Sequence, residues 1–304
     1  MMGIFKKIES NDALFGLCCV LLATLGLSLK AILIKLVYQA DPNIDAISVL
    51  VIRYLLALPL FLLVLLYAQK QTNAIRINVN SLVPTALLGA GGFYLAAILD
   101  FSALAYISAS LERLILFLYP TFVVIISLFL RPSEITRHTV MALIISYVGI
   151  MVVFVEQAPL LTEKVVTGSI LVFSAALVFA IYTVLSVKQI RLHGSIVFTV
   201  YAVIAATITT LIHAFMSHGL HFLNQSFDVY LLILIMALFS TVMPLICMAE
   251  GVKRIGASSA SIISTSGPPL TLAFAFFILG ETFGILHALG GVLILAGVFL
   301  VSKK

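Results

Sequence analysis

Residues 13–37 read ALFGLCCVLLATLGLSLKAILIKLV, with Lys6 and Lys7 before them and Asp41 and Asp45 after them. A helix needs roughly 20 apolar residues to cross a hydrocarbon core, and a cleavable leader has a shorter apolar region. The run is therefore read as a retained first span. Similar stretches follow at 47–68, 82–99, 103–129, 138–155, 167–187, 195–216, 229–248, 257–279 and 283–301, ten in all. Backbone polar groups left unpaired in lipid are too costly, so the spans are expected to be helices, and no alternating barrel pattern is present.

The links between spans alternate in charge. Lys6 and Lys7, Lys70 and Arg76, Arg131 and Arg137, Lys188 and Arg191, Lys253 and Arg254, and Lys303 and Lys304 stand at every second boundary. The intervening links carry Lys164 but hold Asp41, Asp45, Asp100, Glu156, Glu163, Asp228 and Glu281. Lys and Arg concentrate on the cytoplasmic side of membrane proteins, so both termini are expected in the cytoplasm.

Composition agrees. Hydrophobic residues make up 62% of the chain and charged ones 10%, against roughly 25% charged in soluble domains. The net charge of +5 is spread in pairs over six segments, which sets orientation and offers no nucleic-acid surface. Cys18, Cys19 and Cys247 lie inside apolar runs, with no metal-ligand or disulfide spacing. No cofactor is expected. There is no Trp, so any interfacial aromatic belt is built from Tyr.

The two halves echo each other. An offset of 148 places Ile107 on Ile255, Ala109 on Ala257, Ser110 on Ser258, Pro120 on Pro268, Phe129 on Phe277 and Gly149 on Gly297. An offset of 152 places Gly16 on Gly168 and Ala23 on Ala175. Five helices per half is an odd number, so the second half enters from the opposite side and the repeats are inverted. The organisation expected is a cytoplasmic N-terminus at 1–12, one five-helix repeat at 13–155, an external linker at 156–166 and a second repeat at 167–304.

Arg254-Ile255-Gly256-Ala257-Ser258, Pro268, Leu279-Gly280-Glu281, Gly290-Gly291 and Ala296-Gly297 resemble the EamA-type ten-helix members of the drug/metabolite transporter superfamily. Ala105-Tyr106-Ile107-Ser108-Ala109 and Pro120 echo them in the first half, where Arg131-Pro132-Ser133-Glu134 replaces the usual Leu-Gly-Glu. The resemblance spans nearly the whole chain. It implies an all-α membrane fold of two inverted five-helix repeats and metabolite transport, with export the expected direction. It names no substrate. The motif glycines and Glu281 are read as helix-packing and loop elements rather than ligands.

Lys30, Lys35, Arg53, Glu112 and Arg113 are the ionisable residues placed inside spans, with Glu112 the only acid. A charge at the bilayer centre costs roughly 2.5–3.5 kcal/mol on insertion scales, so each needs a cavity or a partner. Lys35, near the outer end of its span, is expected to snorkel. Glu112 and Arg113 point about 100° apart and cannot simply satisfy each other. Glu112 shares a helical face with Ser108, Leu116 and Tyr119. Two roles stay open for it: a bridge to Lys30 or Arg53 that locks the bundle, or a group that carries a proton or binds a substrate amine. Four basic groups against one acid favour a substrate bearing a carboxylate or phosphate.

A second signal is Ser264-Thr265-Ser266-Gly267-Pro268-Pro269. Pro268 and Pro269 lack the N–H groups that would pair with the carbonyls of Ser264 and Thr265, and Pro120 does the same to Leu116. Carbonyls freed at mid-depth are tolerated where they line a cavity, so Pro120, Pro268 and Pro269 mark a cavity site. Lys30, Arg53, Glu112, Arg113, Tyr119, Ser264 and Ser266 are its candidate substrate contacts.

The expectation is a secondary active or facilitative carrier of a small polar metabolite, an amino acid or related organic anion or zwitterion, in the cytoplasmic membrane, with sugar phosphates, nucleosides and drugs as the alternative substrate classes. A proton is the candidate coupling ion, and monomer and homodimer both stay open. No Walker motif supplies ATP chemistry. An intramembrane enzyme would need paired Asp or a Ser/His arrangement within spans, and none emerges. A scaffold or sensor would need a soluble output domain, for which links such as 280–282 leave no room.

Overall fold

The computed structural model describes residues 2–72, 79–130, 141, 144–145, 147–149, 151–152, 162–264, 266–282 and 284–302. Most of the fifth expected span, 138–155, lies outside the described residues.

Every regular element among the described residues is a helix. The order is α1 (Met2–Ala40), α2 (Ala46–Thr72), α3 (Val79–Gly89), a π turn (Ala90–Leu95), α4 (Ala96–Ala103), α5 (Ala109–Leu116) and α6 (Tyr119–Leu130). Then come α7 (Glu163–His193), α8 (Ser195–His218), a 3-10 turn (His221–Leu223), α9 (Phe227–Ala237), a second π turn (Leu238–Val242), α10 (Met243–Ser264), α11 (Gly267–Leu279) and α12 (Ile285–Ser302). Among the described residues, six helical stretches are long and apolar enough to cross a membrane: Asp12–Ala40, Ala46–Tyr67, Asn80–Ala103, Glu163–His193, Ser195–His218 and Phe227–Ile255. Gly267–Leu279 and Ala288–Gly297 are shorter apolar helices.

Large apolar side chains lie on both sides of these helices. Tyr54, Phe61, Phe101 and Phe198 are buried, whereas Leu63, Met216 and Phe277 are exposed. Apolar surface all round is the pattern of a helix set in lipid. The halves interleave: α1 packs along α10 and α11, while α7 packs against α4, α5 and α6. Small residues permit the close approaches. A Cβ on Gly26 would run into the Phe239 carbonyl, and one on Gly92 would run into the Tyr182 ring.

Four sequence expectations need correction. Asp100 was expected in a polar link, but it lies within α4 and is 3% exposed. Glu112 is therefore not the only acid within the spans. The span expected at 103–129 is broken into a turn, α5 and α6; Ser108 caps α5 by accepting from the Leu111 N–H at 3.1 Å. Lys253 and Arg254 were expected in a link, yet both lie in α10. There Arg254 pairs with Glu250 one turn earlier and with Asp12 at 2.9 Å, which lets the charged segment stay helical.

The π turns have the same place in each half. An offset of 148 carries 90–95 onto 238–243, so Phe93 corresponds to Thr241. A π turn releases backbone groups from the regular ladder. Two neighbours on α2 reach these turns: the Tyr54 hydroxyl donates to the Phe93 carbonyl, and Arg53 Nε donates to Thr241 Oγ1 at 2.8 Å. Thus α2 is tied to equivalent points of both halves.

Candidate functional site

A cavity of about 660 Å3 opens among α1, α2, the first π turn, α4, α5, α6, α7 and α10. This is within the roughly 300–1,000 Å3 range of small-molecule sites. Its wall is mainly apolar and aromatic, and Lys30, Arg53, Asp100 and Arg113 provide its charges.

Lys30 is held between two acids. Its Nζ forms an ion pair with Asp100 Oδ2 and stands 3.7 Å from Glu112 Oε1. Of the two bridges left open for Glu112, to Lys30 or to Arg53, it is Lys30 that stands beside it. The nearer partner, Asp100, went unrecognised because it stands close to the end of an apolar run and resembles a boundary residue. Its signal was available in the following Phe-Ser-Ala-Leu-Ala, which keeps the run apolar past it.

Glu112 is 0% exposed and lies off the cavity wall. Both its oxygens and Asp100 Oδ1 are buried without a hydrogen-bond partner among the described residues. Glu112 therefore faces protein, with Lys30 on the cavity side of it, whereas Asp100 stands on the wall with Oδ2 held by Lys30. An ion pair with unsatisfied lone pairs in a low-dielectric interior is costly, and the Lys30 ammonium offsets part of the desolvation of the two carboxyl groups.

The arginines differ. Arg53 is 9% exposed, and its guanidinium carbon stands 5.3 Å from the Phe101 ring centre and 5.6 Å from that of Tyr54. Aromatic faces on a guanidinium offset part of its desolvation. Arg113 lies on the wall beside Gly267 of the opposite half: a Cβ there would stand 3.2 Å from Arg113 Nη2. Among the described residues, no carboxylate lies within 4 Å of either guanidinium.

Of the other candidates, Tyr119, Pro120 and Ser264 line the cavity. Tyr119 packs edge-on against Phe179 with ring centres 5.4 Å apart, and Ser264 Oγ donates to the Ala260 carbonyl at 2.8 Å. Ser266, Pro268 and Pro269 are not on the wall. Ser266 Oγ donates to the Ile263 carbonyl at 2.7 Å, Pro268 is buried, and Pro269 is exposed. The prolines act differently from expectation. Pro268 and Pro269 stand in the first turn of α11, where no intrahelical N–H is required, and Pro120 occupies the same place in α6. They start new helices rather than bend continuous ones. Thr265 lies outside the described residues. At this break Ser28 Oγ donates to the Gly267 carbonyl at 3.0 Å, joining α1 to α11.

Lys35 is also off the wall, in the field of Glu281. Glu281 accepts hydrogen bonds from the N–H groups of Ala109 at 2.7 Å and Ser110 at 3.1 Å, and from the Ser110 hydroxyl at 2.6 Å. Its carboxylate caps the N-terminus of α5 from the other half, satisfying two of the four N–H groups that a helix start leaves unpaired. The local sequence gives no hint of a contact across 172 residues.

A crystal structure with 16% sequence identity shares the fold: the match covers 97% of this chain and 99% of that one, with a TM-score of 0.60. The uncharacterized transporter YcbK of Bacillus subtilis is 30% identical over 301 residues, covering 97% of this chain and 94% of its own. The uncharacterized transporter YyaM of the same organism is 26% identical over 255 residues, 82% of each chain. The EamA-like transporter family model matches twice, over residues 14–155 and 166–303, each match holding one π turn and one side of the cavity. This multi-pass membrane protein belongs to the EamA-like transporter family.

Proposed function

We propose that the chain is a secondary carrier that moves a small polar metabolite, an amino acid or a related organic anion or zwitterion, by alternating access. The observation that carries this reading is a cavity of about 660 Å3 bounded by apolar helices, with Lys30, Arg53, Asp100 and Arg113 in its wall. Charges within membrane spans are costly and collect along solute paths. The helix starts at Pro120 and Pro268 and the π turns supply interrupted backbone on both sides, the construction used by carriers at a repeat interface.

The accompanying topology is ten spans in two inverted five-helix repeats, with both termini in the cytoplasm and export as the direction. The 148 offset of the π turns and the double family match support the repeat. Arg53 and Arg113 receive the solute's anionic group, while Tyr119 and Ser264 contribute wall contacts. Glu112 takes up a proton rather than touching solute, a role supported by its position off the wall beside Lys30.

The test is uptake by purified protein in proteoliposomes under an imposed pH gradient, with amino acids and organic acids offered in turn. Transport that responds to the gradient in wild type and loses that response in Glu112→Gln supports the reading. No solute movement above empty vesicles overturns carriage. Unchanged rate and pH profile in Glu112→Gln removes the proton role alone.

A further inference from the structure

The polarity of the charges that a solute can reach differs from the polarity of the cluster as a whole. Among the described residues two acids and three cations surround the cavity; Glu112 lies off its wall, and Asp100, on the wall, is held by Lys30. Asp100 Oδ2 is taken by Lys30, and Asp100 Oδ1 and both Glu112 oxygens are buried away from the open space. Among the described residues, a solute amine therefore meets no carboxylate on the wall that is not already paired with Lys30. Arg53 and Arg113 both line the cavity, and neither has a carboxylate within 4 Å among the described residues. Arg53 donates only from Nε among those residues, leaving its terminal nitrogens unused. The planar fork of a guanidinium matches a carboxylate bidentately.

The formal count sharpens this. Three cations stand against two carboxyl groups, so the cluster keeps a positive surplus for an anionic solute to neutralise. Around it the wall is carbocyclic: Phe93, Phe101, Phe117 and Phe179, with Tyr54 and Tyr119. Such rings favour an apolar body and give a sugar or other polyol few partners.

We infer that the site selects an organic monocarboxylate with an apolar, ring-sized body, bound through Arg53 and Arg113, and discriminates against the matching zwitterion and amine. This rests on the carrier reading above and narrows its substrate class.

Three probes share one body and differ in charge: 3-phenylpropionate, phenylalanine and phenethylamine. Binding to purified full-length protein in detergent is measured by calorimetry, independently of transport. The expected result is 3-phenylpropionate binding at least tenfold more tightly than either of the others. Arg113→Gln and Arg53→Gln should each weaken it tenfold or more, and Arg113→Lys should recover part of the loss. A thermal unfolding midpoint within a few degrees of wild type establishes that each variant is folded. If Arg53→Gln fails to fold, the Arg113 pair and the three-probe ranking decide. Equal or tighter binding of phenylalanine or phenethylamine overturns the proposal, as does the absence of binding by all three. Either result leaves proteoliposome transport of another solute as the separate test of carriage.

Discussion

The two halves build equivalent frames and load them unequally. Under the 148 offset the π turns coincide, Pro120 meets Pro268, and the cavity-lining Leu116 meets the cavity-lining Ser264. Yet Asp100 corresponds to Met248, and Glu112 to Ala260. The first half supplies Lys30, Arg53, Asp100, Glu112 and Arg113, while the second answers with Thr241, Gly267 and Ser264. Helix interruption is a property of the repeat, and charge is a property of one half. The cavity wall is therefore asymmetric in charge although the helix breaks on its two sides correspond.

The largest effect is expected from breaking the charge cluster. Asp100→Ala should destabilise by about 3–5 kcal/mol, because it removes the nearest partner of a largely buried ammonium. Met248→Ala, at the equivalent position, should cost much less. Denaturant unfolding in detergent compares them; similar losses would mean that the asymmetry has no energetic content.

The π turns offer the next comparison. Thr241→Val leaves Arg53 Nε without its acceptor and should cost about 1–3 kcal/mol. Tyr54→Phe removes a neutral donor from the Phe93 carbonyl and should cost about 1 kcal/mol. Thr241→Val should also weaken 3-phenylpropionate binding, since it frees the guanidinium to move, and Tyr54→Phe should weaken it less.

Glu281 joins the halves directly. Glu281→Ala uncaps α5 and should cost about 1–2 kcal/mol in the same unfolding measurement. Glu281→Gln should retain part of this, because an amide oxygen still accepts.

The smallest effect is at the α2 start. Burial pushes the Asp45 carboxyl up, but hydrogen bonds from Ser48 and His218, at 3.1 and 2.8 Å, outweigh it and hold the group below its ordinary range. A carboxyl lowered on folding stabilises above its unfolded value, near about 4, and the contribution is lost as pH falls through the folded value. Wild type should thus melt above Asp45→Asn at pH 7, and the gap should close on acidification toward pH 3. A gap independent of pH would assign Asp45 a purely steric role.

Much of this was legible beforehand. Span length and charge alternation identify a helical membrane protein, and the offset of 148 finds both prolines. The site was readable in its cations, since Lys30, Arg53 and Arg113 stand out in apolar runs. Asp100 did not, because an acid close to the end of a hydrophobic stretch looks like a boundary whether or not the helix continues. Lys253 and Arg254 misled for the same reason: a charged pair marks a link unless Glu250 and Asp12 are there to neutralise it.

Hydropathy and charge order determined by themselves that this polypeptide lives in lipid as helices, because the cost of an unpaired peptide group there is set by the solvent and not by neighbours. Tertiary structure alone decided which charges face one another: that Lys30 stands beside Asp100 and Glu112, that Arg53 and Arg113 line the cavity with no carboxylate within 4 Å among the described residues, and that Glu281 caps a helix in the other half. Those outcomes depend on distances of a few ångströms between residues remote in the chain, where Coulomb energy and desolvation change steeply and no local pattern carries the information.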